Sequence, residues 1–188
     1  MKCLLIWLLF PALVTAQWTL LVSGGAEPGG GSGAATLELD ATTGALRLVS
    51  TSVLGNGGVG GWTSARPGST PDALPTLLFA TRRAGSGQQG SVQAVSVNAT
   101  GGMSPLGTPQ LTGGADPEHV QFVSPAWVLT ANYGSAHVGV QSVRDDGTVG
   151  PPLAGLQVGT NAHEIAVDPA NSTRIFVPCL GADYIAQV

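Results

Sequence analysis

Two stretches of this chain repeat one pattern, and that repetition limits what the chain can fold into. Residues 119–125 and 163–169 each begin with His and end with Pro, with apolar residues in between. Each copy is followed by two further apolar stretches, which are 126–134 and 136–143 after the first copy, and 174–181 and 183–188 after the second. Self-similarity of this kind is typical of repeat architectures.

Weaker copies of the same unit lie upstream. The stretches 19–23 and 76–81 match the second strand of the unit, and 35–40 and 90–97 match the third. Turn residues separate the third strand from the fourth, as a hairpin requires: Thr43-Gly44, Gly101-Gly102 and Asp145-Asp146-Gly147. Four short strands per unit of roughly 50 residues predict an all-β fold, a β-propeller of four-stranded blades. A β-sandwich is the alternative, but it does not require the same His-to-Pro spacing in successive units.

The composition agrees with an all-β chain and excludes one class of partner. Gly and Pro number 28 and 13 in 188 residues, which favours many turns over long helices. Charged residues are only 10% of the chain, and 11 acidic residues outnumber 7 basic ones. Because no basic stripe could follow a phosphate backbone, we expect no binding of nucleic acid.

The first sixteen residues have the pattern of a secretory signal peptide. A basic start at Lys2 precedes the apolar run Leu4–Phe10, and small residues stand at Val14 and Ala16. The alternatives are a buried strand or a membrane anchor, but a bilayer span needs about 20 apolar residues. We therefore predict cleavage after Ala16, a mature domain over 17–188, secretion from the cell and no membrane anchoring.

Two further features concern the secretory route. After cleavage Cys179 would be the only cysteine, so no disulfide framework is expected. Asn98 and Asn171 each begin an Asn-X-Thr sequon, and both are predicted to be glycosylated. In the predicted blades Asn98 lies in a third-to-fourth turn and Asn171 in a first-to-second turn. Both turns face away from the edge where the histidines begin their strands.

The length predicts only part of a ring. Closed propellers have typically 4–8 blades, whereas residues 17–188 supply about three blades and the start of a fourth. We interpret the chain as the N-terminal part of a larger propeller or as half of an oligomeric ring. An open blade edge of this kind predicts self-association.

The motifs of the second half resemble the seven-bladed propeller lactonase family, which includes the propeller type of 6-phosphogluconolactonase and fungal enzymes that cyclise carboxymuconate. The resemblance rests on the following stretches: His119–Pro125, Val128–Gly134, Ala162-His163, Val167–Pro169 and Ile175–Asp183. It implies a small-molecule lactone or organic acid as substrate. We expect no cofactor, and no metal either, because His119 and His163 have no evident third ligand and the chain has no cysteine pair. The family often has His-x-His where this chain has Asn161-Ala162-His163, and its downstream Arg and Glu would lie beyond residue 188.

Hydrolysis of a lactone needs a base that activates water and donors that stabilise the oxyanion. His163 is the first candidate for the catalytic base and His119 the second, because an imidazole exchanges protons near neutral pH. Strand-capping through a bond to the backbone of a neighbouring blade is the alternative role for His163, whereas repeat symmetry alone could place His119. Asn132, Asp183 and Arg82 are candidate substrate-binding residues, although the first two could instead stabilise tight loops and Arg82 could be solvated.

Three functions follow from these residues. The first is a secreted lactone hydrolase, which the resemblance implies. The second is a non-catalytic propeller that binds a ligand or partner at its channel mouth, which Asn161 favours. The third is a cyclising lyase of the carboxymuconate type.

Overall fold

The computed structural model describes residues 7–9, 17–24, 33–53, 59–66, 77–82 and 87–188. In these ranges the chain forms β-strands and one short 3₁₀ turn at Tyr133–Ser135. The strands, numbered β1 to β15 in chain order, are Trp7–Leu9, Gln17–Gly24, Gly33–Asp40, Leu46–Val53, Val59–Arg66, Leu77–Arg82, Gln89–Val97, Met103–Ala115, Pro117–Ser124, Trp127–Asn132, His137–Val143, Val149–Gln157, Ala166–Val167, Ile175–Cys179 and Tyr184–Gln187. None of the described segments forms a helix long and apolar enough to cross a lipid bilayer.

The strands form four sheets in which neighbours in sequence are neighbours in space. The first three sheets contain β1–β4, β5–β8 and β9–β12, and the fourth contains β13–β15. All pairings are antiparallel. The backbone N–H of Phe122 in β9 donates to the hydroxyl of Ser64 in β5 at 2.9 Å, so the first strands of the second and third sheets adjoin each other. These sheets confirm the predicted partial β-propeller, with three four-stranded blades and part of a fourth.

The core lies between neighbouring sheets. One cluster joins the second sheet to the third and consists of Val92, Ala94, Val120, Val128, Val143 and Val149. Another joins the third sheet to the fourth and consists of Leu129, Ala131, Val138, Ala162, Ile165, Val177 and Cys179. Strand β10 supplies Val128 to one cluster and Leu129 to the other, because successive side chains of a strand point to opposite faces. The third sheet is therefore covered on both faces.

The first strand of the fourth sheet is shorter than its sequence pattern predicts. The repeat predicts a strand beginning at His163, but β13 contains only Ala166 and Val167. An isolated bridge joins Ala162 to Cys179. Between these points the N–H of Ile165 donates to the imidazole of His119 in the third sheet, so it is not available to β14.

The predicted signal segment contributes strand β1. Trp7, Leu8 and Leu9 pair with Leu21, Leu20 and Thr19 of β2. Cleavage after Ala16 stays a prediction. It would remove β1 and leave the first sheet with three strands.

Candidate functional site

A pocket of about 360 Å³ opens at the edge of the fourth sheet where β14 turns into β15. Its lining consists of His163, Pro178, Cys179, Leu180, Asp183, Tyr184 and Ile185. An imidazole, a carboxylate, a phenol and the free thiol of Cys179 are thus the ionisable groups at a largely apolar wall. The structure brings together His163 and Asp183, two of the residues that the sequence singled out.

His163 is fixed through its backbone and leaves its ring available. Its N–H donates to the carbonyl oxygen of Pro178 at 2.9 Å. The ring of Tyr133 meets the imidazole edge to face, with ring centroids 6.1 Å apart and planes inclined by 73°. Within the described chain no hydrogen bond is made to either ring nitrogen. His163 can therefore accept a proton from water or from a ligand in the pocket.

Asp183 reaches the pocket from a tight turn. The turn is held by two backbone hydrogen bonds, from Leu180 N–H to Asn161 O and from Ala182 N–H to Cys179 O, both at 3.0 Å. Asp183 itself has a φ of 55°, a left-handed conformation that Asp adopts more readily than most residues. The turn consequently presents an exposed carboxylate at the pocket mouth.

Tyr133 and Asp116 belong to the surroundings of the site, and sequence reasoning assigned no role to either. Tyr133 N–H donates to the carbonyl oxygen of Asp116 at 3.0 Å. The buried carboxylate of Asp116 accepts from Gly87 N–H at 2.7 Å and ties the second sheet to this loop. Tyr133 lies in the motif 128–134, which could have drawn attention to it. The contact between Asp116 and Tyr133 joins two sheets and has no local signal in the sequence.

His119 does not line the pocket. Its side chain is only 6% exposed, and its Nδ1 accepts from Ile165 N–H at 3.3 Å. Burial, with a smaller contribution from the charge of His163, lowers the pKa of His119 from 6.5 to about 4. A histidine that is buried and neutral near pH 7 holds backbone in place, so we assign His119 a positioning role.

Asn132 does not line the pocket either. It is fully buried, and its Oδ1 accepts from the hydroxyl of Thr112 at 2.6 Å. Its Nδ2 donates to Thr130 O at 3.4 Å and lies 3.3 Å from Nδ1 of His137. Burial lowers the pKa of His137. These contacts support the second of the two predicted roles, in which Asn132 stabilises the loop that follows it.

The other predicted residues lie elsewhere. Arg82 ends β6, and its neighbour Arg83 is outside the described residues. Asn98 lies in the turn between β7 and β8, and Asn171 in the turn between β13 and β14, as the sequence predicted. In an antiparallel meander these turns lie at the edge opposite the β14–β15 turn, and hence opposite the pocket. Across the described ranges no three His, Cys, Asp or Glu side chains cluster as metal ligands would.

The four sheets define a partial β-propeller, and the pocket where β14 turns into β15 is its candidate site. The family described as "Lactonase, 7-bladed beta-propeller" matches residues 20–187. The chain therefore belongs to the seven-bladed propeller lactonases, which confirms the resemblance seen in its motifs. No protein with a curated description matches the chain significantly.

Solved structures with the same fold are similar to this chain over half of their length. A candidate 6-phosphogluconolactonase from Bacteroides fragilis has a TM-score of 0.77 and 18% identity, over 95% of this chain and 49% of that one. A candidate 6-phosphogluconolactonase from Bacteroides uniformis has a TM-score of 0.72 and 22% identity, over 90% and 49%. The periplasmic gluconolactonase PpgL of Pseudomonas aeruginosa has a TM-score of 0.69 and 18% identity, over 91% and 49%. The chain thus spans about half the length of these proteins.

Proposed function

We propose that this chain carries the water-activating part of a lactone-hydrolysing site, with His163 as the base. The observation that carries the proposal is the position of the imidazole: it lies in the wall of a largely apolar pocket, and no described group bonds its ring nitrogens. Membership of the lactonase family supports the reaction class. The proposal concerns lactones as a class and leaves the particular ring open.

In this reaction His163 would first accept a proton and later return it. His163 takes a proton from water, and the hydroxide adds to the lactone carbonyl to give a tetrahedral oxyanion. Collapse of this intermediate breaks the ring C–O bond, and the imidazolium returns its proton to the departing alkoxide. The product is the open hydroxy acid. The phenol of Tyr184 lies in the same wall and can donate to the carbonyl oxygen.

Asp183 would act on the ligand and on the histidine. Its exposed carboxylate carries negative charge at the mouth. This charge would stabilise the imidazolium formed when His163 takes the proton, because opposite charges attract across a partly dry site. It would also repel the carboxylate product. The same repulsion favours a neutral lactone over an organic acid as the group that enters.

Secretion and glycosylation belong to the same proposal. Both sequon asparagines are exposed and lie at the edge opposite the pocket. In each, the Oδ1 atom accepts a hydrogen bond from the hydroxyl of the sequon threonine, at 2.8 Å for Asn98 and 2.7 Å for Asn171. Glycans at these positions would leave the site open to its ligand.

The test is lactone turnover by His163→Gln against Glu164→Gln. Glu164 is the exposed neighbour of His163 and does not line the pocket, so its variant controls for local substitution. We expect ring opening of simple five- and six-membered lactones by the wild type and by Glu164→Gln, with a loss of about 100-fold or more in His163→Gln. Equal rates in both variants would remove His163 from the mechanism.

A second candidate function, a non-catalytic ligand site, is favoured by Asn161. It stands where family members often have a further histidine, and its side-chain oxygen lies against Gly181 in the pocket turn. Binding of a lactone by calorimetry, without ring opening in any variant, would establish this function in place of catalysis.

A further inference from the structure

The turn between β10 and β11 is built like the turn between β14 and β15. In both turns a glycine is followed two residues later by a residue with positive φ. The residue before that glycine donates its backbone N–H to a left-handed residue that precedes the first strand of the same sheet. These bonds run from Tyr133 to Asp116 O and from Leu180 to Asn161 O, both at 3.0 Å. Tyrosine in one turn thus stands where leucine stands in the other, so the turn itself does not require an aromatic side chain.

The ring of Tyr133 reaches across the boundary between two sheets. Tyr133 follows β10 of the third sheet, whereas His163 precedes β13 of the fourth. Their rings meet edge to face, with centroids 6.1 Å apart. The terminal torsion of a histidine side chain is broad, so the backbone alone does not fix the direction of the imidazole. Because no described group bonds the ring nitrogens of His163, packing against a neighbouring ring is what can set that direction.

We propose that Tyr133 is a positioning residue for His163, and that its aromatic ring holds the imidazole in the direction that water activation needs. This inference rests on the proposed function, in which His163 is the base. Aromatic pairs of this geometry favour one arrangement by roughly 2- to 12-fold. A displaced catalytic group can lower a rate by about 100-fold. The role belongs to the ring of Tyr133 and not to its hydroxyl, because the contact joins the two rings.

The backbone around Tyr133 is held firmly enough for this role. Asn132, which precedes it, is fully buried. Two residues further on, the hydroxyl oxygen of Ser135 accepts from Ala115 N–H at 3.0 Å. The carbonyl oxygen of Ser135 accepts from the side-chain amide of Gln157 at 3.1 Å. The turn is therefore tied to β8 and to β12, and a ring that projects from it has a fixed origin.

Lactone turnover by two variants of Tyr133 tests the proposal. Tyr133→Leu gives this turn the residue of its counterpart, so the backbone should be kept, whereas Tyr133→Phe keeps the ring. We expect Tyr133→Leu to lower kcat about 10-fold and to change KM by less than about 2-fold. Tyr133→Phe should stay within about 2-fold of the wild type. Trp127→Leu replaces an aromatic residue that is 41% exposed at the other end of β10, and as the matched control it should leave turnover unchanged.

The mobility of the His163 ring is a second readout, and it needs no catalysis. Carbon relaxation of the ring C–H groups in the full chain, with signals assigned from His163→Gln, measures this mobility by NMR. We expect a rigid imidazole in the wild type and in Tyr133→Phe, and a more mobile one in Tyr133→Leu. A wild type that opens no lactone would end the proposed function. The relaxation data would then still decide whether Tyr133 holds the imidazole.

The double variant of Tyr133→Leu and His163→Gln separates positioning from direct action. It should be no slower than His163→Gln alone, since Tyr133 acts only through the imidazole. A further loss in the double variant would overturn the proposal. So would a loss in Tyr133→Phe as large as in Tyr133→Leu, because the hydroxyl would then act on the ligand itself. Full turnover in Tyr133→Leu, or an imidazole as rigid there as in the wild type, would show that the ring is not what positions His163.

Discussion

The Nδ1 atom of His119 accepts a hydrogen bond from the backbone N–H of Ile165 at 3.3 Å. This bond crosses the boundary between the third and fourth sheets and is buried, since His119 is 6% exposed and Ile165 1%. It fixes the backbone two residues beyond His163. The histidine that lines the pocket is therefore positioned in part by its counterpart one sheet earlier.

Stability should decrease in weak acid because His119 is buried. The pKa of His119 is lowered by burial from 6.5 to about 4, so the unfolded chain takes up a proton at a pH where the folded chain does not. The contribution is fully present above pH 6.5 and is lost as the pH falls from there towards 4. It amounts to about 3 kcal/mol of unfolding free energy. Urea unfolding between pH 7 and pH 5, before the carboxylates titrate appreciably, would measure the first part of this loss.

The variant His119→Gln isolates this contribution. Its amide oxygen can still accept from Ile165 N–H but gains no proton in this range. We expect a flatter dependence of the unfolding free energy on pH than in the wild type. An unchanged slope would mean that His119 is not the titrating group.

The buried pair of Thr112 and Asn132 should stabilise the boundary between the second and third sheets. Thr112→Val removes the donor that satisfies Asn132 Oδ1 and leaves a buried acceptor without its partner. We expect a loss of about 1–3 kcal/mol, measured by urea unfolding. Thr108→Val, at an exposed position of the same strand, is the matched control and should change stability by roughly 0.5 kcal/mol or less. Similar losses in both variants would contradict the role of the pair.

We expect that only glycine fits at position 139, because of close packing. A Cβ added there would overlap the carbonyl oxygen of Thr112 in the neighbouring sheet. Because backbone cannot move aside as a side chain can, we expect Gly139→Ala to cost about 3 kcal/mol. Gly44 has a φ of 72° and no atom within 4 Å of such a Cβ, so Gly44→Ala should cost only about 1–2 kcal/mol of backbone strain. Thermal unfolding compares the two, and a larger loss at Gly44 would contradict this account.

The two sequons should be modified when the chain passes through a eukaryotic secretory pathway. We expect Asn98→Gln and Asn171→Gln each to remove one glycan and to increase mobility on a denaturing gel, as treatment with an amidase would. Neither substitution should change ligand binding, because both turns lie away from the pocket. Loss of binding in either variant would place the glycans nearer the site than the fold indicates.

Much of the fold could be predicted because its signals are local. The alternation of apolar residues and the turn pairs such as Asp145-Asp146-Gly147 indicate strands and hairpins within a few residues of themselves. The spacing of the units then predicted sheets that follow one another in chain order. The shortness of β13 could not be predicted, because it depends on a hydrogen bond from Ile165 to a residue 46 positions away.

The site was predictable only in part. His163 and Asp183 were singled out from motif positions, and the structure places both in one pocket. Tyr133 had no assigned role, because its contact with His163 joins two different sheets. The sequence left two roles open for Asn132, binding of substrate and stabilisation of a tight loop. Its burial against Thr112 supports the loop role.

The sequence by itself determined the repeating unit, the order of its strands and the edge at which its histidines begin. It ranked His163 above His119 only through the family motif, since both stand at the same place in the repeated pattern. The tertiary structure gives the two histidines different surroundings, because a following sheet covers one and not the other. The third sheet is covered by the fourth, so His119 is buried and neutral at pH 7, whereas no described sheet covers the fourth. His163 therefore reaches a pocket, because burial depends on the neighbouring sheet and not on the residues of the strand itself.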